Sequence, residues 1–193
     1  MPGMADDLPI YVAFAGEQCV AEGPLAEVLP ILKQRFDADD AELVLAFEVE
    51  SGQQVDFDLR GTLAEVLERA LPSPARGRGR PRLGVTSREV SLLPRHWEWL
   101  EAQPSGSSAA LRRLVEQAIK TNPGQERARR IRAALSRFLS SMAGNRPGFE
   151  EATRALFAGD TEGFEVLVKR WPKDIRDFAV ARAREAFGAG PSY

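Results

Sequence analysis

The segment from Leu71 to Arg82, Leu-Pro-Ser-Pro-Ala-Arg-Gly-Arg-Gly-Arg-Pro-Arg, most limits what this chain can fold into. Its three prolines remove backbone donors and block helix and sheet interiors. Its two glycines and four arginines have nothing to bury. No helix or strand can run through it, so it reads as a linker or a functional arm, residues 73–87. The 193 residues around it suffice for one large domain or two small ones, with a sizeable core.

Charge divides at the same place. Residues 1–72 carry 4 Lys/Arg and 15 Asp/Glu, whereas residues 73–146 carry 15 and 5. The overall net charge of −2 hides this split. An acidic segment joined to a basic one suggests that the basic part meets a polyanion. All but one of its cations are arginine, the better fork for phosphate and for guanine edges.

Periodicity predicts an α+β fold. Residues 9–15 read as a strand and 18–22 as its hairpin return. Gly23-Pro24 opens a helix through Arg35, with Leu25, Val28, Leu29 and Leu32 on one face. Glu42–Glu50 reads as a strand. In the next, Val55, Phe57 and Leu59 alternate with Asp56, Asp58 and Arg60. Gly61-Thr62 caps a helix through Ala70. The order is ββαββα, an N-terminal module over residues 1–72.

Beyond the linker, residues 88–121 read as a short strand (Arg88–Leu93), a helix from Pro94 to about Gln103, a break at Pro104-Ser-Gly106, and a helix capped by Ser107 or Ser108 running to Lys120. Leu111, Leu114, Val115 and Ala118 form the apolar stripe of that helix. Residues 122–193 read as a helical bundle. A long helix from Asn122-Pro123 to Gly144 carries Ile131, Leu135, Phe138, Leu139 and Met142 on one face, with Arg127, Arg129, Arg130, Arg132 and Arg137 mostly off it. Three shorter helices follow at about 148–158, 161–170 and 173–187.

Two motifs point to nucleic acid. Arg78-Gly79-Arg80-Pro81-Arg82 resembles the core of an AT-hook. Narrow A-tract minor grooves are strongly negative and attract inserted arginines. Glycine lets the backbone approach the groove floor, and proline keeps the segment extended. The alternative is a solvated basic linker.

The run from Arg88 to Lys120 resembles the ribbon-helix-helix family of DNA-binding proteins. The matching residues are Val90 to Pro94, Trp97, Leu100, Gly106, Ser107, Ser108 and Ala110 to Val115. A lone strand must find a ladder partner. Pairing with its copy in a second chain makes a two-stranded ribbon whose outer face fits a major groove. Ser87, Glu89 and Ser91 would face base edges, and the amides near Ser107 and Ser108 would hold a phosphate. Glu89 departs from the usual Arg-, Lys- or Thr-rich outer face, and Arg88 shares the face of Val90 and Leu92. The alternative is a strand that joins the N-terminal sheet, followed by ordinary core helices.

Several stretches together, among them Val55–Thr62, Gly79–Gly84, Leu92–Leu100, Pro147–Asp160 and Trp171–Arg176, resemble a bacterial family known only as a domain of unknown function. That resemblance implies a bacterial cytoplasmic protein and supplies no activity.

Sites for chemistry are scarce. One cysteine, Cys19, excludes an internal disulfide and a Cys-rich zinc centre. One histidine, His96, excludes two-histidine designs. Asp56 and Asp58 share a strand face, but a third ligand for a divalent ion is not evident. No Gly-rich phosphate loop is present. Trp97, Trp99 and Trp171 read as core anchors before stacking platforms, although Trp97 and Trp99 cannot share one helix face. The expectation is therefore a protein that is not an enzyme, with no catalytic residues, no metal and no cofactor. No apolar run reaches 18 residues, and the first residues lack a basic, apolar signal pattern, which suggests a cytoplasmic protein, nucleoid-associated when bound to DNA.

The leading expectation is a homodimeric transcriptional regulator on double-stranded DNA. Its ribbon would lie in the major groove and its arm in the minor groove. The expected contacts are Arg76, Arg78, Arg80, Arg82, Ser87, Arg88, Glu89, Ser91, Ser107, Ser108 and Arg112. The second reading is a protein-interaction module whose basic region docks an acidic partner, with no nucleic-acid role.

Overall fold

The computed structural model describes residues 8–38, 42–71 and 88–188. It is an α+β fold with a four-stranded antiparallel sheet and eight helices among these residues. Two compact units divide the chain differently from the four segments read above. Unit 1 combines residues 1–73 with 127–193, and unit 2 is residues 74–126 between them.

Unit 1 begins with the hairpin β1 (Ile10–Ala15) and β2 (Gln18–Pro24), followed by helix α1 (Leu25–Asp37). The chain then returns as β3 (Val44–Glu48) on the other side of β1, so the sheet order is β2-β1-β3-β4. β1 pairs with β3 in unbroken register from Tyr11–Glu48 to Ala15–Val44. Against β2 the register shifts between Ala13 and Phe14, which marks a bulge near Val20.

Both sheet faces are buried. Ala13 and Ala46 pack with Val28 and Leu32 of α1. On the opposite face, Val12, Phe14 and Phe47 pack against α5 (Pro123–Ala143), α6 (Phe149–Ala158), α7 (Thr161–Val168) and α8 (Lys173–Gly188). Phe138 of α5 is the hub, with ring centroids 5.4 Å from Phe14, 5.1 Å from Phe47 and 4.5 Å from Phe178. The α5 stripe Ile131, Leu135, Phe138 and Leu139 is buried, as the 3.6-residue period requires.

Glycine sets one close approach. Gly52, at φ +66, follows β3, and a Cβ there would lie 1.9 Å from the Ala134 carbonyl oxygen of α5. The helical half is punctuated as its sequence suggests. Gly159 ends α6 in the left-handed region, and the Asp160 side chain accepts from the Gly163 amide at 2.9 Å to open α7. Trp171 is buried and donates its indole N–H to the Pro147 carbonyl at 3.1 Å.

The strand expected at residues 55–59 is shorter. β4 is only Gln54–Val55, paired with Phe47 and Ala46. Phe57 and Leu59 still pack towards α1 and α2 (Leu63–Ala70), but the ladder stops. The Arg69 guanidinium donates to the carbonyls of Asp58, at 3.0 Å, and of Arg60. A side chain thereby takes acceptors that a ladder would have used. Helix α2 opens with the capping box the sequence suggests: the Thr62 amide donates to the Glu65 carboxylate at 2.7 Å.

Candidate nucleic-acid interface

Residues 88–93 contain no strand and pair with no described strand. This corrects the expected strand within the single chain, and the alternative that the segment joins the N-terminal sheet is equally not observed. The reason is the one that made pairing necessary: without a ladder partner, a lone segment forms no strand. Arg88, Glu89, Val90 and Ser91 are all exposed.

Pro94 occupies the first turn of α3 (Pro94–Glu101), where its missing N–H costs nothing. The Leu93 carbonyl accepts from the His96 amide at 2.8 Å, and the Gln103 side chain donates to the Trp99 carbonyl at 3.1 Å near the other end. A turn follows, and α4 runs from Ser107 to Thr121.

Gly106, not a serine, is the N-cap of α4. It sits at φ +75, and no side chain caps the helix. This corrects the expected Ser107 or Ser108 cap. A left-handed glycine turns the chain directly into the helix, so both serines fall inside its first turn. Three consequences bear on anion binding. The first turn contains no acidic residue. The Ala110 amide bonds the Gly106 carbonyl, so the amides ahead of it are the ones directed out of the helix. A Cβ at Gly106 would meet nothing within 4 Å, so the helix start is open to a close approach. Such an end attracts anions through its aligned N–H groups and the helix dipole.

Arg112 and Arg113 follow within two turns of this opening, whereas Lys120 lies in the last turn of α4. Arg112 lies one turn beyond Ser108, on the same face. Arg112, Arg113 and Lys120 are exposed and make no ion pair with a described residue. Arg113 and Lys120 are additions to the expected contacts, legible in hindsight from their helical position but not separable there from a solvated face. Ser107 is half-buried and Ser108 exposed. Arg76, Arg78, Arg80, Arg82 and Ser87 lie outside the described residues.

Unit 2 has little core. Among its described residues only Leu100 and Ala110 are buried hydrophobics. Its apolar stripe is open: Leu114 is 41%, Val115 55% and Ile119 54% exposed, and Val90 is 53% exposed. Both Trp97 and Trp99 are exposed, so neither is the core anchor the sequence suggested, because α3 turns mainly Leu100 inward.

Three arginines of α5 are employed elsewhere, within unit 1. Arg127 pairs with Glu185 at 2.6 Å, Arg137 donates to the Ser51 carbonyl at 2.6 Å, and Arg132 lies over the Phe187 ring. Among the described residues no group of three or more His, Cys, Asp and Glu is arranged for a metal ion. Asp58 is instead gripped by Arg60, whose Nε and Nη2 donate at 2.8 and 3.0 Å. That hydrogen bonding, with Arg69 nearby, holds its carboxyl well below the usual carboxylate range. Among the described residues no helix is long and apolar enough to cross a membrane.

A family model described as uncharacterized proteins conserved in bacteria (DUF2239) matches residues 10–183, which span both units. No curated protein and no solved structure matches the chain.

Proposed function

The chain belongs to this family of uncharacterized bacterial proteins, and from the geometry of unit 2 we propose that it binds double-stranded DNA as a homodimer and regulates transcription. The observation that carries the reading is segment 88–93. It has no ladder partner among the described residues and precedes a helix pair whose apolar stripe is open. A second copy supplies both needs: strand pairing across a two-fold axis, and cover for Val90, Leu114, Val115 and Ile119. The paired segments present Glu89 and Ser91 to a major groove, with Arg88 at their edge. Each α4 start receives a backbone phosphate, with Arg112 beside it. The Arg76–Arg82 arm follows the adjacent minor groove.

The test is fluorescence anisotropy of labelled AT-rich and GC-rich duplexes from low to physiological salt. The expected result is binding that weakens steeply with salt. Arg80→Ala selectively weakens the AT-rich complex. Arg112→Ala weakens both, with a log–log salt slope reduced by about one. No binding at low salt overturns the proposal and turns attention to an acidic protein partner.

A further inference from the structure

Where the sheet meets the helix layer of unit 1, beyond the aromatic core, lies an open cleft of about 580 Å³. That volume falls in the range of small-molecule sites. Its floor is apolar, made by Ile10 of β1, Val49 after β3 and Ile131 of α5. Its two walls carry opposite charge.

On the sheet side stand Glu22 of β2 and Glu50 after β3, two exposed carboxylates with no ion pair to a described residue. On the helix side stand Arg127 and Arg130 of α5 with Arg182 of α8. One carboxylate, Glu185, is shared by Arg127 and Arg182. Arg130 has no ion-pair partner among the described residues. The helix wall therefore keeps two positive charges beyond Glu185, against two negative charges on the sheet wall, and the two walls form no salt bridge with each other.

Opposite charges lining one cleft normally close on each other. Here Arg127 and Arg182 are held by Glu185 rather than by the sheet carboxylates. Such a site complements a molecule that is anionic at one end, cationic at the other and apolar between. We infer that this cleft binds a small zwitterion whose two charges lie apart, a short apolar peptide. The carboxylate lies on Arg130, as guanidinium forks favour. The ammonium lies between Glu22 and Glu50. The apolar side chain lies on Ile10, Val49 and Ile131. The inference does not depend on the DNA reading, because every residue it uses lies in unit 1.

The test is isothermal titration of the full chain with leucyl-leucine and, separately, free leucine, whose two charges share one carbon. Binding by leucyl-leucine is expected, and heat with free leucine alone overturns the inference. The N-acetylated dipeptide lacks the ammonium and the dipeptide amide lacks the carboxylate. Each is expected to bind about tenfold or more weakly than leucyl-leucine, as the loss of a charged hydrogen-bonded contact implies. Arg130→Gln is expected to abolish the preference for the free carboxylate, and the Glu22→Gln, Glu50→Gln double variant the preference for the free ammonium. All three side chains are exposed, so unchanged melting temperatures accompany both effects. Absence of heat with both ligands at millimolar concentration overturns the inference. So does equal affinity for capped and uncapped dipeptides, or a carboxylate preference that survives Arg130→Gln.

Discussion

The backbone amide of Cys19 on β2 donates to the Asp174 carboxylate at the start of α8, at 2.9 Å and across 155 residues of chain. The contact ties the edge of the sheet to the last helix of unit 1. The same carboxylate, with Glu22, adds to burial in pushing the Cys19 thiol up from its ordinary pKa, burial being the larger cause.

Cys19 should therefore alkylate slowly. In the native protein, the pH midpoint of its reaction with iodoacetamide is expected above the value of about 8.5 for a free thiol. Asp174→Asn moves that midpoint down by removing a neighbouring negative charge, and it costs about 1–2 kcal/mol because a charged acceptor is lost. An unchanged midpoint in Asp174→Asn would show that Asp174 does not act on the thiol.

Gly52→Ala should be among the most damaging small substitutions. The new methyl meets the Ala134 carbonyl rather than a movable side chain, at a backbone φ that disfavours any Cβ. Urea denaturation is expected to show a loss of about 2–4 kcal/mol. Gly106→Ala has the φ penalty alone and should lose about 1 kcal/mol.

Phe138→Ala removes the hub that three other phenylalanine rings touch. The expected cost is about 3–5 kcal/mol, with a loss of near-ultraviolet circular dichroism. A cost below 1 kcal/mol would mean that the sheet and α5 do not share one core.

Acid should weaken three surface pairings. Asp58, Glu165 and Asp177 are each held below their ordinary pKa, chiefly by hydrogen bonds from Arg60, Arg184 and Lys173. For a depressed carboxylate, the stabilisation is present above the unfolded-state pKa of about 4 and disappears as pH falls through the folded value. The urea midpoint is therefore expected to fall between pH 5 and pH 2. The triple variant Asp58→Asn, Glu165→Gln, Asp177→Asn should show a shallower fall. These groups are exposed, so each effect is small.

Charge placed on the open stripe should test the proposed dimer. Val115→Glu with Ile119→Glu is expected to shift sedimentation from dimer to monomer and to weaken duplex binding together. A dimer that survives both substitutions would place the self-association surface elsewhere.

Much of this architecture was legible in the residues. Alternation and the 3.6-residue period place β1, β2, α1 and α5 within a residue or two, and Pro94, Gly159 and Asp160 mark helix ends by known stereochemistry. The double burial of the sheet had a signal as well. Ile10 to Ala15 contains no charged residue, which suits a strand covered on both faces. What periodicity could not reveal is which distant segment supplies the cover, since the pairing of Phe14 and Phe47 with Phe138 is a tertiary fact. The α5 arginines show the same limit at the candidate interface. Spacing put them off the apolar face, but only folded geometry separates Arg127, tied to Glu185, from Arg112 of α4, which has no ion pair among the described residues. The Gly106 cap was missed because serine usually wins that position.

The split of unit 1 into two stretches of sequence has a consequence for synthesis. At about 5–20 residues per second, Asp174 follows Cys19 from the ribosome after roughly 8–30 seconds. Until α5 emerges, within that interval, the nascent sheet shows Val12, Phe14 and Phe47 with none of their native helical cover, although the basic segment that precedes α5 is already made. An arrest before α5 is complete leaves an uncovered aromatic surface attached to a polycation, a substrate for chaperones and proteases.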